Sequence, residues 1–483
     1  VMTTFIPVFT KRLEDGRNEA EAFLNNVLTA MVVVTGALSF VAAPATNVII
    51  HLVAPGFSGT TAPLAASLTR EMLPLMLALG VSSVMTGALQ AHDVFGPPAL
   101  VGVPQNVVII ASIIVLGPVL GISGVALGTV LGTFMQVFVQ WPALHHLGYR
   151  LRPRLDLRDP GLRTVVVLAL PVLLGSAASQ IGTVVDRMLA SRLVEGSISA
   201  LNYGNRLYSL PVGLFVMSLV TVLYPTMARH AAASDEAALR QDVTEMSGWL
   251  VLTVAPISAV LIALRTPLVR LLFQHGSFDT AATGMTSVAV LYFSLGTVGV
   301  ALAELFRRAF FALQDTRTPM YVGVGTVALN VMLNLLLVRP MLHGGLALSF
   351  SVSATGGAVV LLALLHRRLD GLNLRAFGWT LAAAGLASGF TGYAASWVYG
   401  LASVRWPGMG TVKELTRLTL TGVTALALYG VLLVVLGLVP MRDILKRRRS
   451  RSPARPNRAI LGRELVPVES SSTANTTEGR EGR

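Results

Sequence analysis

Apolar residues run along this chain in blocks of about 20 or more, the length at which a helix crosses a bilayer, and short polar stretches separate the blocks. Twelve can be drawn, at approximately 25–48, 72–90, 98–118, 122–144, 163–190, 200–226, 246–272, 284–312, 319–338, 344–365, 376–399 and 416–440. Glycine and proline inside several of them are compatible with helix, since membrane helices tolerate both better than soluble ones. The pattern predicts an all-α polytopic membrane protein. Ahead of the first block, VMTTFIPVFTKR reads as the last turns of another helix, followed by a charged loop, LEDGRNEAEAF.

The polar positions inside the blocks carry the candidate chemistry. Between Gln180 and His230 two apolar blocks hold Asp186, Arg187 and Arg206, and a charge at the centre of a bilayer costs at least about 2.5–3.5 kcal/mol unless it faces water or a partner. Ser176, Gln180, Thr183, Arg187 and Ser191 recur at steps of three or four, which puts them on one helix face. In the next block Asn202, Asn205, Arg206 and Ser209 form a second polar stripe, with Leu207, Leu210, Leu214 and Phe215 on the remaining surface. Two such stripes on neighbouring helices point to a shared aqueous cavity, and the transport site is expected here. A second reading stays open, in which Asp186 and Arg187 sit near the interface and snorkel outward. Arg206 is also near the start of its block, but its flanking asparagines favour the cavity.

Composition supports the membrane assignment and narrows the partners. The chain of 483 residues is 53% hydrophobic and 13% charged, against about 25% charged in soluble domains, and its mean hydropathy is +0.68. The net charge of +13 does not call for nucleic acid, because the basic residues gather in short loops and in the tail. Assigning alternate loops to one side collects Lys11, Arg12, Arg17, the run Arg150, Arg152, Arg154, Arg158 and Arg163, then Arg229, Arg240, Arg307, Arg308, Arg317, Arg367, Arg368 and Arg375. The positive-inside rule places that side, and the C-terminus, in the cytoplasm. The tail carries LKRRRSRSPARPNR and then ESSSTANTTEGREGR; it reads as disordered, with its basic start against anionic membrane lipids.

Part of the chain repeats. Pro98-x-x-Val101-Gly102-Val103 recurs as Pro319-x-x-Val322-Gly323-Val324, and at the same offset of 221 residues Gly124, Ala126 and Leu127 match Gly345, Ala347 and Leu348. Leu144-His145 match Leu365-His366 in the same register, and a register sustained across two helices is the signature of a repeat. The expected organisation is an N-terminal transporter lobe at 1–150, a C-terminal lobe at 151–372, two additional helices within 373–440 and the tail at 441–483. The second copy holds a further two-helix unit that the first does not. On that basis the first lobe reads as truncated by about 55–60 residues, with six helices per complete copy arranged as transporter halves.

Other chemistries find no support in the residues. There is no cysteine, hence no disulfide or thiolate metal site, and no G-x-x-x-x-G-K-[ST] loop for ATP. The eight histidines are scattered, without H-E-x-x-H, so neither a metal centre nor a cofactor is expected. Glu71, Asp186 and Glu304 are the acids in or near the blocks, too far apart in sequence to nominate paired catalytic carboxylates; no enzyme activity is expected, and Asp186 is a candidate for a coupling cation. The stripe Thr326, Asn330, Asn334 either lines the cavity or bonds helices together.

The run Asp186-Arg187, Ala190-Ser191, Glu195-Gly196-Ser197-x-Ser199-x-Leu201-x-Tyr203-x-x-Arg206-Leu207-Tyr208-x-Leu210-Pro211-x-Gly213 resembles the seventh-to-eighth helix region of MurJ/MviN-type lipid II flippases. Phe273-x-x-Gly276-x-Phe278-Asp279 and Phe311-Ala312-Leu313-Gln314-Asp315-Thr316-Arg317-Thr318-Pro319 resemble later motifs of the same family. The resemblance covers nearly all of 1–440. It implies the multidrug/oligosaccharidyl-lipid/polysaccharide exporter fold, of fourteen helices in two six-helix lobes plus two. It also implies movement of a lipid-linked peptidoglycan precursor between leaflets by alternating access, with the anionic headgroup in a cationic cavity. Arg206 matches a cavity arginine of the family and Ser199 a cavity serine, which with Arg187, Asp186, Asn202 and Asn205 makes the candidate substrate-binding set. Asn205 stands where many members have Asp, and Glu304 where many have Lys. The family's other cavity arginines belong to its first two helices, which this chain is expected to lack in large part. Other partners to consider are membrane lipids and cell-wall synthesis proteins. The competing readings are an ion-coupled drug or polysaccharide-lipid exporter of the same fold, a membrane glycosyltransferase and a non-transporting scaffold.

Overall fold

The structure, a computed structural model, describes residues 2–408 and 410–438, with side chains omitted at 2, 3, 171, 172 and 174–179. The described chain is a succession of helices. The first half holds α1 (Met2–Asp15), α2 (Arg17–Val53), α3 (Thr61–Met72), α4 (Pro74–Ala91), α5 (Gly96–Leu100), α6 (Gly102–Val115), α7 (Gly117–Leu120) and α8 (Ile122–His146). A linker leads to α9 (Pro160–Ala190) and α10 (Ser197–Pro211), which passes through a π-helical turn at Val212–Val216 into α11 (Met217–Ala232). Then come α12 (Glu236–Ala263), α13 (Arg265–Phe273), α14 (Thr280–Leu295), α15 (Thr297–Ala312), α16 (Arg317–Arg368), α17 (Leu374–Arg405) and α18 (Thr411–Val435). Four of these begin at a side chain that satisfies an otherwise orphaned amide: Asp159 accepts from Gly161, Asp235 from Ala238, Asp279 from Ala282 and Asn373 from Ala376.

Every one of the twelve apolar blocks falls on helix, though the helices are divided differently. Among the described residues eight are long and apolar enough to cross a membrane, or nine when α14 and α15, bent by 41°, count as one. Two blocks share α16, which folds back at Leu342 (φ 53°, ψ −134°). The block at 376–399 is helical as α17 but rich in Ala, Gly and Ser, which keeps its hydropathy low. The block expected at 246–272 is not one helix: α12 starts earlier, at its Asp235 cap, and ends before Leu264, whose φ of −101° opens α13.

The 221-residue offset recurs in backbone geometry. Gly121 (φ 58°, ψ −137°) and Leu342 hold the same unusual conformation. Asp93 (φ 58°) and Gln314 (φ 59°) each close a helix through a left-handed turn, with Val94 N–H bonding to Leu89 O and Asp315 N–H to Phe310 O, both at 2.9 Å. A Cβ on Gly124 would lie 2.6 Å from the carbonyl oxygen of Leu116, and one on Gly345 2.3 Å from that of Leu337. The glycines permit the same close approach at both places.

Two large buried apolar clusters share no residue. One is built on Phe5, Phe9, Phe23, Met85, Leu89 and Leu144, the other on Met227, Leu250, Phe293, Phe306, Phe310 and Leu365. Leu162 and Val165, in the first turns of α9, belong to the first cluster. α17 buries Ala384, Ala387, Ser388, Thr391, Gly392 and Ala395, and its Gly392 lies against the Ala259 backbone of α12. By contact the chain divides into Val1–Tyr429 and Gly430–Arg483; the second unit is described only through the last turns of α18 and residues 436–438. The tail at 441–483 lies outside the described residues.

Candidate functional site

α10 shows why its polar residues line up. Its inner face carries Ala200, Gly204, Leu207 and Tyr208, all buried, and a Cβ on Gly204 would come within 2.7 Å of the Ala289 Cβ on α14. Tyr208 stacks on Phe293, ring centroids 5.8 Å apart. With that face committed to the lobe, Ser199, Asn202, Asn205, Arg206 and Ser209 are all exposed. Ser209 Oγ donates to the Arg206 carbonyl at 2.9 Å, a local bond of the kind helical serines make. Among the described residues the Arg206 guanidinium has neither a carboxylate nor a hydrogen-bond partner.

On α9 the two adjacent charges part company. Asp186 is turned against α16, where Asn334 Nδ2 donates to its Oδ1 at 2.5 Å and to Asn330 Oδ1 at 3.2 Å. Asn330 and Asn334 are buried, and Asn334 Oδ1 and Asn330 Nδ2 have no partner among the described residues. Outward snorkelling therefore does not describe Asp186. Arg187 is exposed and unpaired among the described residues. Gln180 and Thr183 are exposed while Ser191 is buried, and the side chain of Ser176 lies outside the described residues. Thr326 leaves the expected stripe, because its hydroxyl donates to Val322 O and packs where a Cβ on Gly357 would fall, 2.5 Å away. The structure thus brings Asp186, Asn330 and Asn334 together and aligns Ser199, Asn202, Asn205 and Arg206, and among the described residues no hydrogen bond or ion pair joins the two groups.

The other intramembrane acids are engaged separately. Glu71 Oε1 accepts from Ser67 at 3.2 Å and from Ser123 at 3.3 Å, while Glu304 pairs with Arg307 and Arg308 on its own helix. Two features had gone unnoticed in the sequence. Gly56, on the loop after α2, approaches the end of α9 so closely that a Cβ would lie 2.2 Å from Ser191 O, and its N–H donates to Ser191 Oγ at 3.1 Å. At the other end of α9, Asp159 accepts from Arg12 at 2.8 Å and from Asn26 at 3.2 Å. α9 is therefore tied to the first lobe at both ends. The adjacent amides Asn25 and Asn26 inside an apolar block were the available signal for the second tie; nothing local marks the first.

The family description "Lipid II flippase MurJ" matches residues 2–419. The chain belongs to the lipid II flippase MurJ family. Among curated relatives, "Lipid II flippase MurJ" of Burkholderia cenocepacia is 27% identical over 388 residues, covering 78% of this chain and 74% of the relative. "Probable lipid II flippase MurJ" of Rhizobium meliloti is 30% identical over 379 residues, covering 75% and 69%. The fold matches a solved structure of "Lipid II flippase MurJ, inward closed conformation" with a TM-score of 0.74 over 90% of this chain and 88% of that one, at 22% identity. It also matches an inward-facing multidrug transporter of the MOP superfamily, with a TM-score of 0.64 over 76% and 86%, at 14% identity. MurJ membership and the run of apolar helices make this a multi-pass membrane protein of a transporter family.

Proposed function

We propose that this protein flips lipid II from the cytoplasmic to the outer leaflet of the bacterial inner membrane by alternating access, with the headgroup phosphate held by Arg206. One observation carries the reading: Arg206 lies on an exposed polar stripe of α10, with no carboxylate to neutralise it, while the opposite face of the helix is buried in its lobe. Unpaired guanidinium against lipid is costly, so such a stripe belongs on water between the lobes. A guanidinium holds phosphate through two parallel charge-assisted hydrogen bonds. Asn202, Asn205 and Ser199 offer neutral donors and acceptors along the same stripe for the sugar-peptide part, and Arg187 adds a second unpaired charge nearby in sequence. Asp186, with the unpaired Asn334 oxygen beside it, is the place for a coupling cation. A drug exporter selecting cations would want an acidic surface here, whereas the exposed charges on α9 and α10 are Arg187 and Arg206. The orientation, with the arginine-rich loops and the C-terminus cytoplasmic, follows from charge.

The test is to express the chain and its Arg206→Ala and Arg206→Lys variants in cells depleted of their own lipid II flippase, measuring protein abundance and precursor on the outer leaflet. Normal abundance with lost flipping in both variants supports the reading. Full activity of Arg206→Ala refutes it, and activity falling in proportion to abundance assigns Arg206 a structural role.

A further inference from the structure

The linker between α8 and α9 has a backbone that is fixed and arginines that are free. Asn25 on α2 accepts from Arg152 N–H at 3.0 Å and donates to Arg150 O at 2.9 Å. Asn26 accepts from Asp156 N–H at 2.7 Å and donates to Asp156 O at 2.9 Å. Between them Arg154 N–H donates to Thr29 Oγ1 at 3.0 Å. Two buried amides and a hydroxyl thus pin the backbone of residues 150–156 against α2. In sequence Arg152 and Arg154 alternate with Pro153 and Leu155, and Leu157 and Arg158 follow in a turn.

The acids of this segment are already engaged: Asp156 Oδ1 accepts from Arg158 N–H at 2.9 Å, and Asp159 takes Arg12, Asn26 and Gly161 N–H. The guanidinium groups of Arg150, Arg152, Arg154 and Arg158 have no partner among the described residues, and all four residues are exposed. Leu155 and Leu157 are 47% and 75% exposed beside them. Arg154 and Arg158 also line a cleft of about 210 Å³, with Arg12 and the acids Glu19, Asp156 and Asp159, of which Glu19 and Asp159 pair with Arg12. The level is set by α2, whose exposed apolar surface begins at Val32, Val33 and Val34, a turn beyond Thr29.

We infer that residues 150–158 form a preorganised strap that binds an anionic phospholipid at the edge of the bilayer. Unpaired guanidinium groups carried on the pinned backbone meet the phosphodiester, and Leu155 and Leu157 reach toward the acyl boundary. A run of arginines needed only to set topology has no use for a pinned backbone or for leucines turned outward between the charges. Basic pockets at this level are the usual binding places of anionic headgroups. The inference does not depend on the transport assignment.

The experiment is native mass spectrometry of the purified full chain in detergent, titrated with phosphatidylglycerol, with phosphatidylcholine, or with undecaprenyl pyrophosphate. Wild type retains phosphatidylglycerol in clear preference to phosphatidylcholine. Replacing Arg152, Arg154 and Arg158 together by Gln weakens that binding about a hundredfold, while the three Lys replacements, which keep the charge but lose the planar fork, fall between. A Leu155→Ser, Leu157→Ser double variant, which leaves every charge in place, also binds more weakly and carries the test should the Gln variant not accumulate. Equal retention of phosphatidylcholine by wild type, or undiminished phosphatidylglycerol binding in the variants, overturns the inference. Displacement of phosphatidylglycerol by undecaprenyl pyrophosphate at equal concentration overturns it too and places the strap on the substrate's path; displacement by millimolar inorganic phosphate reduces it to an adventitious anion site.

Discussion

The two lobes bond their helices together with different polar chemistry on a repeated backbone. In the first, side chains bond to side chains: Thr86 donates to Gln140 at 2.8 Å, Gln140 to Ser82 at 2.8 Å, Ser82 to Gln136 at 3.1 Å and Gln136 to Gln105 at 2.9 Å, joining α4, α6 and α8. In the second, hydroxyls reach carbonyls of neighbouring helices, Ser258 to Ser294 O at 2.5 Å and Ser351 to Tyr292 O at 2.5 Å. There Gly296 and Gly299 let α15 come so close to α16 that a Cβ would lie 2.6 Å from Ser351 Cα or 2.7 Å from Thr355 Cα. The amide chain is a connected network that gives way as a unit, whereas the hydroxyl-to-backbone bonds break one at a time. Equivalent frames thus tolerate different glue, and the glycines that set the frame are the shared requirement.

The largest effects should therefore be equal in the two lobes. Gly124→Ala and Gly345→Ala each drive a Cβ into a carbonyl of the paired helix, and each is expected to cost about 1–3 kcal/mol of stability, read by SDS-induced unfolding in bicelles. A loss in one lobe and not the other would mean that the offset repeats in sequence but not in packing. Next, Gln140→Leu should cost about 1–1.7 kcal/mol, near the top of the range for polar contacts in membranes, because it strands the Thr86 hydroxyl and removes the bond that Ser82 accepts. Ser351→Ala should cost nearer about 0.6 kcal/mol. Equal losses would remove the contrast between a connected network and separate bonds.

Another pair of substitutions separates the lobes in the opposite sense. Leu342 holds the conformation that Gly121 holds without penalty, so Leu342→Gly relieves strain and should stabilise the second lobe by up to about 1 kcal/mol, while Gly121→Leu destabilises the first by about 1–3 kcal/mol. The smallest is a pH effect confined to one copy of the turn after α4 and α15. Asp315 accepts from the Thr318 hydroxyl at 2.6 Å and from the Thr318 and Arg317 amides at 3.0 Å, and these bonds hold its carboxyl below the ordinary aspartate range, the Thr318 hydroxyl contributing most. A depressed carboxyl stabilises the turn above its ordinary pKa and loses that contribution as pH falls through the lowered value. Amides 317 and 318 should accordingly lose hydrogen-exchange protection at the acid end of the aspartate range. The other copy has Val94 at the corresponding position and should show no such change.

Helices were legible because their apolar blocks are long, and the repeat because its glycines must stand where backbones touch. Asp186 was legible as a charge in an apolar block, and Asn334 as part of a polar stripe, but their bond joins residues 148 positions apart and no spacing rule pairs them. The break at Leu264 is marked in sequence only by Arg265-Thr266-Pro267, a short polar interruption with apolar flanks of the kind a membrane helix can also carry. Asn25 and Asn26 looked like two polar residues in a membrane helix, since the backbone they hold lies about 125–130 residues downstream. The stripe on α10 was readable from period alone, whereas which side of that helix is buried depended on Gly204 meeting Ala289.

The central claim is that the free guanidinium of Arg206 holds the substrate's phosphate, and binding tests it most directly. The purified chain, its Arg206→Ala variant and its Arg206→Lys variant are to be titrated with lipid II under one salt condition. Each charge-assisted hydrogen bond contributes about 1.5–3 kcal/mol, so loss of one or two should weaken affinity roughly tenfold to several-hundredfold. Lysine, lacking the planar fork, should restore only part of it. Unchanged affinity of Arg206→Ala, in a protein that unfolds at the wild-type temperature, would contradict the account.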